Sequence, residues 1–236
     1  MCTVSWLRQP AGYQFFFNRD ERRTRAPESP PEVAILDDVR WLAPRDGDHH
    51  GTWIAANEYG IAIGLLNRWD QLVAENTPHT SRGALVASLM NLPSLDRLHD
   101  RLSREELTPF RPFELVAVAP GQDALLVSWD GRSVSVARQA RSGLIAVSSG
   151  HDQAGAETAR RALFTEPPGG WSAAGLIALH RSHLPERGAL SPCMHRSDAS
   201  TVSFTVVSVE DAIRMEYTPE SPCVGMATSY LMDRRY

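Results

Sequence analysis

The alternation of hydrophobic and polar positions predicts a series of β-strands interrupted twice by helices. The predicted strands cover residues 3–8, 13–18, 53–56, 61–67, 113–119, 124–129, 133–137, 144–148, 201–209, 213–217 and 227–231. Helices are predicted from Ser81 to about Asn91, from Ser94 through Leu102, and over residues 154–164 and 172–183. This order of blocks indicates an α+β fold in which helices cover packed antiparallel sheets.

Residues 22–50 depart from this pattern. They are rich in arginine, proline and aspartate, and we expect them to form a long irregular connection that could close over a site. No internal repeat, low-complexity tract or linker divides the chain. We therefore expect residues 1–236 to form one domain.

The charged residues limit the classes of partner and of chemistry. The formal net charge is −4, and the sequence has no basic footprint that would favour DNA, RNA or anionic lipid. Arginine is abundant but lysine is absent. Schiff-base enzymes, P-loop NTPases and Ser-x-x-Lys hydrolases each need a lysine, so these classes are excluded.

The cysteine count and the hydropathy bear on location. Cys2, Cys193 and Cys223 make an odd, low number of cysteines, which favours a reducing compartment. Residues 1–20 contain no basic segment followed by an apolar core, and no apolar run is long enough to span a bilayer. We therefore expect a cytoplasmic protein without a membrane span.

The first predicted hairpin carries the most informative arrangement of side chains. A turn centred between Pro10 and Ala11 places Cys2 opposite Arg19, and directly opposed side chains share a sheet face with Cβ atoms about 4.5–5.5 Å apart. Asp20 follows at the strand end, within reach of the α-amino group of residue 2. The alternative interpretation is a small residue on an edge strand beside an ordinary surface Arg–Asp pair.

Removal of Met1 would give Cys2 two chemical roles. Methionine aminopeptidases act when the second residue is small, and the freed α-amine has a pKa of about 7.7–8.0. That amine can serve as the general base for the thiol of the same residue. A neighbouring guanidinium, here Arg19, is expected to lower the thiol pKa. Asp20 could hold or orient the amine.

These residues resemble a known family. Cys2, the run Asn18-Arg19-Asp20-Glu21, Gly51-Thr52-Trp53 and Leu66-Asn67 are similar in type and spacing to the NRDE family, also called the transport and Golgi organisation 2 type. The likeness covers residues 1–70 most specifically. Later in the chain it rests on the order of elements and on a basic-polar stretch at residues 196–201.

The NRDE family is in turn similar to N-terminal-nucleophile hydrolases of the choloylglycine hydrolase and penicillin V acylase type. This resemblance implies a four-layer αββα sandwich and hydrolysis of an amide through a thioester. It also implies roles for individual residues: Cys2 as nucleophile, Arg19 and Asp20 as groups that tune and position it, and Asn67 as oxyanion donor. Asn18, Trp53 and Arg196 are expected to contribute to substrate binding.

Two departures from the hydrolase pattern stand out. Ser148 and Ser149 lie where those enzymes carry a second asparagine near the end of a mid-chain strand. Arg19 and Asp20 are adjacent, whereas the hydrolases usually space the two residues. The run Asn57-Glu58-Tyr59-Gly60, by contrast, resembles the turn that precedes the strand of the oxyanion asparagine.

Other residues suggest alternatives that we rank lower. His49-His50 could contact a metal or haem, and His180 and His183 could share a helix face as ligands, but no third ligand has matching spacing. The run Cys193-Met194-His195-Arg196 could line a haem or acyl pocket. Residues 148–152 contain Ser, His and Asp without a Gly-x-Ser-x-Gly elbow. We predict no resident metal or cofactor.

Two functional hypotheses follow from the sequence. The first is an N-terminal-nucleophile amidohydrolase that acts on a small acyl amide once Met1 is removed. The second is a non-catalytic binding or carrier protein that uses the same pocket for haem, an acyl-coenzyme A or a lipid-derived ligand. Neither hypothesis involves nucleic acid.

Overall fold

The computed structural model describes residues 2–69, 79–165 and 170–235. Within them, one antiparallel sheet contains six strands: β1 (Cys2–Gln9), β2 (Gly12–Arg22), β10 (Gly143–Ser148), β11 (Ala199–Val209), β12 (Ala212–Pro219) and β13 (Thr228–Asp233). Their order in the sheet is β10-β1-β2-β11-β12-β13. The first hairpin is therefore central, because β10 flanks β1 and β11 flanks β2.

The second sheet contains the other seven strands in chain order. They are β3 (Ser29–Leu36), β4 (Val39–Arg45), β5 (Ile54–Asn57), β6 (Ala62–Asn67), β7 (Phe113–Val118), β8 (Ala124–Trp129) and β9 (Val134–Gln139). Successive strands are antiparallel neighbours, as expected for hairpin connections. The strands predicted from the sequence all form, with ends shifted by a few residues.

In the part of the chain that the structure describes, four helices cover the outer faces of the two sheets. They are α1 (Arg82–Ser88), α2 (Leu95–Arg104), α3 (Gln153–Thr165) and α4 (Ala173–His180). Ser94 caps α2, where its side chain accepts a hydrogen bond from the backbone N–H of Arg97. None of the helices in the described residues is long and apolar enough to cross a membrane.

Alternate residues of the first hairpin serve two different cores. Val4 and Phe15 point toward the second sheet and are buried between the two sheets. Phe16 points the other way and packs with Phe164 of α3 and Leu176 of α4. A third cluster lies between the second sheet and the helices α1 and α2. The layers are therefore helix, sheet, sheet and helix, which confirms the predicted αββα sandwich.

The prediction for residues 22–50 was wrong, because this segment contributes the hairpin of β3 and β4. β3 is the edge strand of its sheet, and it leaves Val33 and Ile35 exposed. An edge strand tolerates the two prolines, Pro30 and Pro31, because one side of its backbone needs no partner. Those prolines and the charged flanks obscured the strand pattern in the sequence.

Candidate active site

The predicted register of the first hairpin is confirmed. Cys2 lies opposite Arg19, and Thr3 lies opposite Asn18. On its other side, Cys2 is paired with Ser148, the last residue of β10. The cysteine is thus at the end of an inner strand, with a neighbour on each side, rather than on a sheet edge.

A cavity of about 380 Å³ opens at this end of the sandwich. Its walls include Cys2 and Arg19 from the first sheet and Asn67 from the second, together with residues that lead into α1. Gly51, before β5, and Gly83, at the start of α1, allow the two backbones to lie in close contact. A Cβ on Gly51 would lie only 2.6 Å from the carbonyl carbon of Gly83. The close backbone approach gives a physical reason for the Gly-Thr-Trp motif.

Burial dominates the electrostatics of the Cys2 thiol. It raises the thiol pKa above its ordinary value, and the carboxylate of Asp20 acts in the same direction. The positive charge of the chain N-terminus, a hydrogen bond from the backbone of Asp20 and the charge of Arg19 lower the pKa, in that order, but they do not outweigh burial. The predicted effect of Arg19 is therefore present yet insufficient, and the thiol needs a base to lose its proton.

Arg19 is held by several carboxylates as well as by an aromatic ring. Its guanidinium donates to Glu28 at 2.7 Å and to Asp46 at 2.6 Å. It also lies 4.3 Å from the ring centroid of Trp53, a cation–π contact. The same network, with a hydrogen bond from Arg25, lowers the pKa of Asp46 to about 2 even though burial of Asp46 opposes this shift.

Asp20 is directed to the helix-covered face of its sheet, because successive residues of a strand point to opposite faces. Its carboxylate accepts a hydrogen bond of 2.5 Å from the Thr201 hydroxyl and lies 3.5 Å from the Arg160 guanidinium. Burial raises the pKa of Asp20, and the charge of Arg160 opposes that shift. Arg19 and Asp20 thus act on opposite sides of the strand despite being adjacent in sequence.

Arg160 is a member of this arrangement that the sequence analysis missed. It lies on α3 and is fully buried. Its guanidinium donates to the carbonyl oxygen of Ser191 at 2.8 Å and to the Thr3 hydroxyl. Its Nη1 also lies 3.5 Å from the Cys2 carbonyl oxygen. One signal was available, since Arg160 falls midway between Ala156 and Phe164 on the buried stripe of the helix.

Asn67 ends β6 in the second sheet and lines the same cavity as Cys2. Its backbone carbonyl accepts a hydrogen bond from the Ser148 hydroxyl, so Ser148 joins the two sheets at this point. Among the described residues, none hydrogen-bonds the side-chain amide of Asn67. The hydroxyl proton of Ser148 is engaged by its hydrogen bond to Asn67.

Two arginines add positive charge to the cavity wall. Arg82 opens α1 and donates to the Pro112 carbonyl at 2.9 Å, and Arg111 lies nearby. Burial and the neighbouring charge of Arg111 lower the pKa of Arg82 to about 10. Such mutual repulsion between two guanidinium groups would be relieved by a bound anion.

The structure places two of the predicted substrate contacts away from the cavity. Asn18 is on the helix-covered face, where its amide donates to the carbonyl oxygens of His180 and Pro192, so it fixes the fold rather than contacting the cavity. Arg196 pairs with Asp198 at 2.6 Å and does not line the cavity. Trp53, by contrast, lies in the cavity wall beneath Arg19.

The other histidine and serine candidates also receive distinct places. His180 is buried among aromatic rings and bonds Ser5 and Asn18, so it shares no ligand face with His183. Ser149 accepts hydrogen bonds from the backbone of His151 and Asp152 in the turn before α3. That role is a helix-start contact.

The family assignment follows from comparison with known sequences. The profile described as Transport and Golgi organisation 2 matches residues 1–160. The chain belongs to this family. No curated protein sequence shows significant similarity to the chain. The motif of the family, Asn18 to Glu21, is the part of β2 that carries both the cavity-facing Arg19 and the helix-facing Asp20.

Solved structures of N-terminal-nucleophile hydrolases share the fold over almost the entire chain. A mutant conjugated bile acid hydrolase from Clostridium perfringens matches with a TM-score of 0.57 at 11% identity, covering 99% of this chain and 98% of that one. Penicillin V acylase from Agrobacterium tumefaciens gives 0.59 at 11%, covering 99% and 86%. The N-acylethanolamine-hydrolyzing acid amidase ortholog of Caenorhabditis elegans gives 0.60 at 12%, covering 98% and 100%. Identities this low show the fold alone.

Proposed function

We propose that this family member is an amidohydrolase in which Cys2, exposed as the first residue by removal of Met1, attacks a small acyl amide. The observation that carries the proposal is the meeting of Cys2 and Asn67 in one cavity from two different sheets. A nucleophile and an amide donor on rigid strand ends are what acyl transfer requires.

The reaction would proceed in two steps that share one acyl group. The α-amine of Cys2 takes the thiol proton, and the sulfur attacks the carbonyl carbon of the substrate. As the tetrahedral intermediate collapses, the C–N bond breaks and the leaving amine takes the proton from the α-ammonium. A water molecule, deprotonated by the same amine, then attacks the thioester and releases the carboxylic acid and the Cys2 thiol.

The surrounding residues would divide the remaining tasks. The side-chain amide of Asn67 would donate to the oxyanion, and Ser148 would hold Asn67 in place through its backbone. Asp20, anchored by Thr201 and Arg160, would position the end of β1 that bears the nucleophile. Burial raises the pKa of the Cys2 thiol, which supports a role for the α-amine as base.

Two arginines at the α1 side of the cavity support a substrate that carries an anionic group. Arg82 and Arg111 both line the cavity, and burial together with the neighbouring charge of Arg111 lowers the pKa of Arg82. We therefore propose an acyl amide whose amine or acyl part bears a carboxylate, sulfonate or phosphate. The anion would lie near the α1 start, and the scissile carbonyl would lie between Cys2 and Asn67.

The test compares wild type with Cys2→Ser and Cys2→Ala on a panel of acyl amides, each offered with and without an anionic group. We expect hydrolysis by wild type, a strong preference for the anionic members, and loss of turnover in Cys2→Ala. Equal turnover by all three proteins would remove Cys2 as nucleophile. Binding of haem, acyl-coenzyme A or a lipid-derived amide without any turnover would favour the carrier function instead.

A further inference from the structure

A second cluster of reactive side chains lies outside the cavity. It consists of His183, Cys193, His195 and Cys223, whose ligand atoms all lie within 4.8 Å of one another. The two imidazole Nε2 atoms are 3.2 Å apart. The Nε2 of His195 is also 3.5 Å from the sulfur of Cys193 and 3.5 Å from the sulfur of Cys223.

These separations match a tetrahedral zinc site. Zinc bonds of about 2.3 Å to sulfur and about 2.0–2.1 Å to nitrogen, at the tetrahedral angle, place two nitrogens about 3.3 Å apart and a nitrogen about 3.5–3.6 Å from each sulfur. The observed nitrogen–nitrogen and nitrogen–sulfur distances lie within about 0.2 Å of these values. Two cysteines with two histidines is also one of the common ligand sets of structural zinc.

Hydrogen bonding alone does not account for the arrangement. An imidazole Nε2 offers either one proton or one lone pair, yet the Nε2 of His195 has three close neighbours. One lone pair directed at a common centre explains all three distances together. Cys193 and Cys223 are free thiols, and a disulfide between them would leave the convergence of the two imidazole nitrogens without a cause.

We propose that His183, Cys193, His195 and Cys223 bind a structural zinc ion. Four protein ligands fill a tetrahedral shell, so no position remains for water or substrate. The two thiolates favour zinc over the harder cations magnesium and calcium, which prefer oxygen ligands. The prediction of no resident metal paired His183 with His180. Its partners are instead Cys193 and His195, later in the same connection, and Cys223 from another connection.

The ligands come from two connections that have no regular secondary structure of their own. His183, Cys193 and His195 belong to the segment of residues 181–198 between α4 and β11, and Cys223 lies between β12 and β13. A segment of that length rarely stays ordered without additional contacts. A metal bridge to Cys223 would fix this segment to the far hairpin of the first sheet.

The zinc-bound segment would also support the residues that hold Asp20 and Asn18 on the helix-covered face of the first sheet. The carbonyl of Ser191 accepts from Arg160, and the carbonyl of Pro192 accepts from Asn18. The backbone N–H of Met194 donates to the Thr201 hydroxyl at 2.8 Å, and that hydroxyl donates to Asp20. Zinc would therefore act on the candidate active site only through position, as a structural ion.

The experiment measures metal content in the intact protein. Protein purified without chelator is expected to contain about one zinc per chain by elemental mass spectrometry. Exchange with Co²⁺ should give the visible bands of a tetrahedral site and a sulfur-to-cobalt charge-transfer band. Cys223→Ser should weaken Co²⁺ binding by at least about 100-fold, because loss of a ligand costs more than loss of an outer-shell partner.

Matched variants separate a site from a folding defect. Cys2→Ser removes the cysteine outside the cluster and should bind Co²⁺ as wild type does. Cys223→His keeps four ligands, so it should retain the metal with a weaker charge-transfer band even if Cys223→Ser unfolds. The proposal is overturned if folded wild type binds no Co²⁺, if Cys2→Ser loses the metal as Cys223→Ser does, or if the wild-type mass reveals a disulfide without metal. None of these readouts depends on amide hydrolysis.

Discussion

The hydroxyl of Ser148 donates a hydrogen bond to the backbone carbonyl of Asn67. Ser148 is also the direct neighbour of Cys2 in the first sheet, so one side chain links the strand end beside Cys2 to the strand end that bears Asn67. We expect Ser148→Ala to lower the free energy of unfolding by about 1 kcal/mol. It should also lower kcat by about 10- to 100-fold, because Asn67 would no longer be held in position relative to the substrate.

Ser149 provides the control for this prediction. It is the next residue, and its hydroxyl accepts from the backbone of Asp152 rather than joining the sheets. Ser149→Ala should cost about 1 kcal/mol of stability, as the loss of a helix-start contact does, with kcat unchanged. Denaturant titration and steady-state kinetics measure both quantities. Equal kcat values for the two variants would show that Ser148 has no part in positioning Asn67.

The side chain of Asn67 should act mainly on the transition state. Asn67→Ala is expected to lower kcat by about 10²–10³-fold with little change in KM, because the donor is needed where negative charge develops. The control is Asn91→Ala, since Asn91 is remote and donates to Asp37 at the surface. A rise in KM without a fall in kcat would indicate that Asn67 binds the substrate and does not stabilise the oxyanion.

Arg160 and Asp20 form a buried ion pair, and removing one partner should greatly lower the free energy of unfolding. Both side chains are fully buried, so Arg160→Met removes a buried guanidinium that stabilises the carboxylate of Asp20. We expect a loss of about 3–5 kcal/mol in the free energy of unfolding, measured by denaturant titration. The double variant Arg160→Met/Asp20→Asn should recover part of this loss, because no isolated charge remains.

Arg161 is the neighbouring control for Arg160. It is half-exposed and pairs with Glu157 one helical turn away, and such exposed pairs contribute about 0.3–0.5 kcal/mol. Arg161→Met should therefore be nearly neutral. If Arg160→Met were as stable as Arg161→Met, the buried pair would not support the first sheet.

His180 should make stability depend on pH. Burial and the charge of Arg160 lower its pKa to about 3, whereas the unfolded chain binds the proton near pH 6.5. Between these values the unfolded state holds more protons, so stability is complete above about pH 6.5 and falls as the pH drops toward 3. The slope contributed by His180 approaches about 1.4 kcal/mol per pH unit.

The comparison of wild type with His180→Gln isolates this contribution. The difference between their unfolding free energies should shrink steadily as the pH is lowered from 7 to 4, measured by urea titration. His99→Gln, which replaces an exposed histidine, is the control for loss of a histidine as such. A difference that stays constant with pH would mean that His180 takes up its proton without unfolding.

Local features of the chain were predictable from the sequence, and contacts between distant residues were not. The turn at Pro10 and Ala11 determines the pairing of Cys2 with Arg19, because a short hairpin has few possible registers. The carboxylates that hold Arg19 come from Glu28 and Asp46, in the segment misread as an irregular connection. Its edge strand is recognisable only once the sheet order is known.

The buried polar residues illustrate the same limit. Asn18 belongs to the family motif, but which face of the sheet it occupies follows from the hairpin alternation, and that face is covered by α4. Arg160 reaches Asp20 and Thr3 across more than half of the chain. The partners of Arg160 could not be predicted from the sequence, because a single charged residue on the buried face of a helix is compatible with several partners.

The most direct test of the central claim is the intact mass of the protein after brief incubation with a hydrolysable acyl amide and rapid acid quenching. We predict a chain lighter than the full sequence by one methionine. A fraction should also be heavier by one acyl group, located on Cys2 by peptide mapping and absent from Cys2→Ala. Retention of Met1 in active protein, or turnover with the acyl group on another residue, would contradict it.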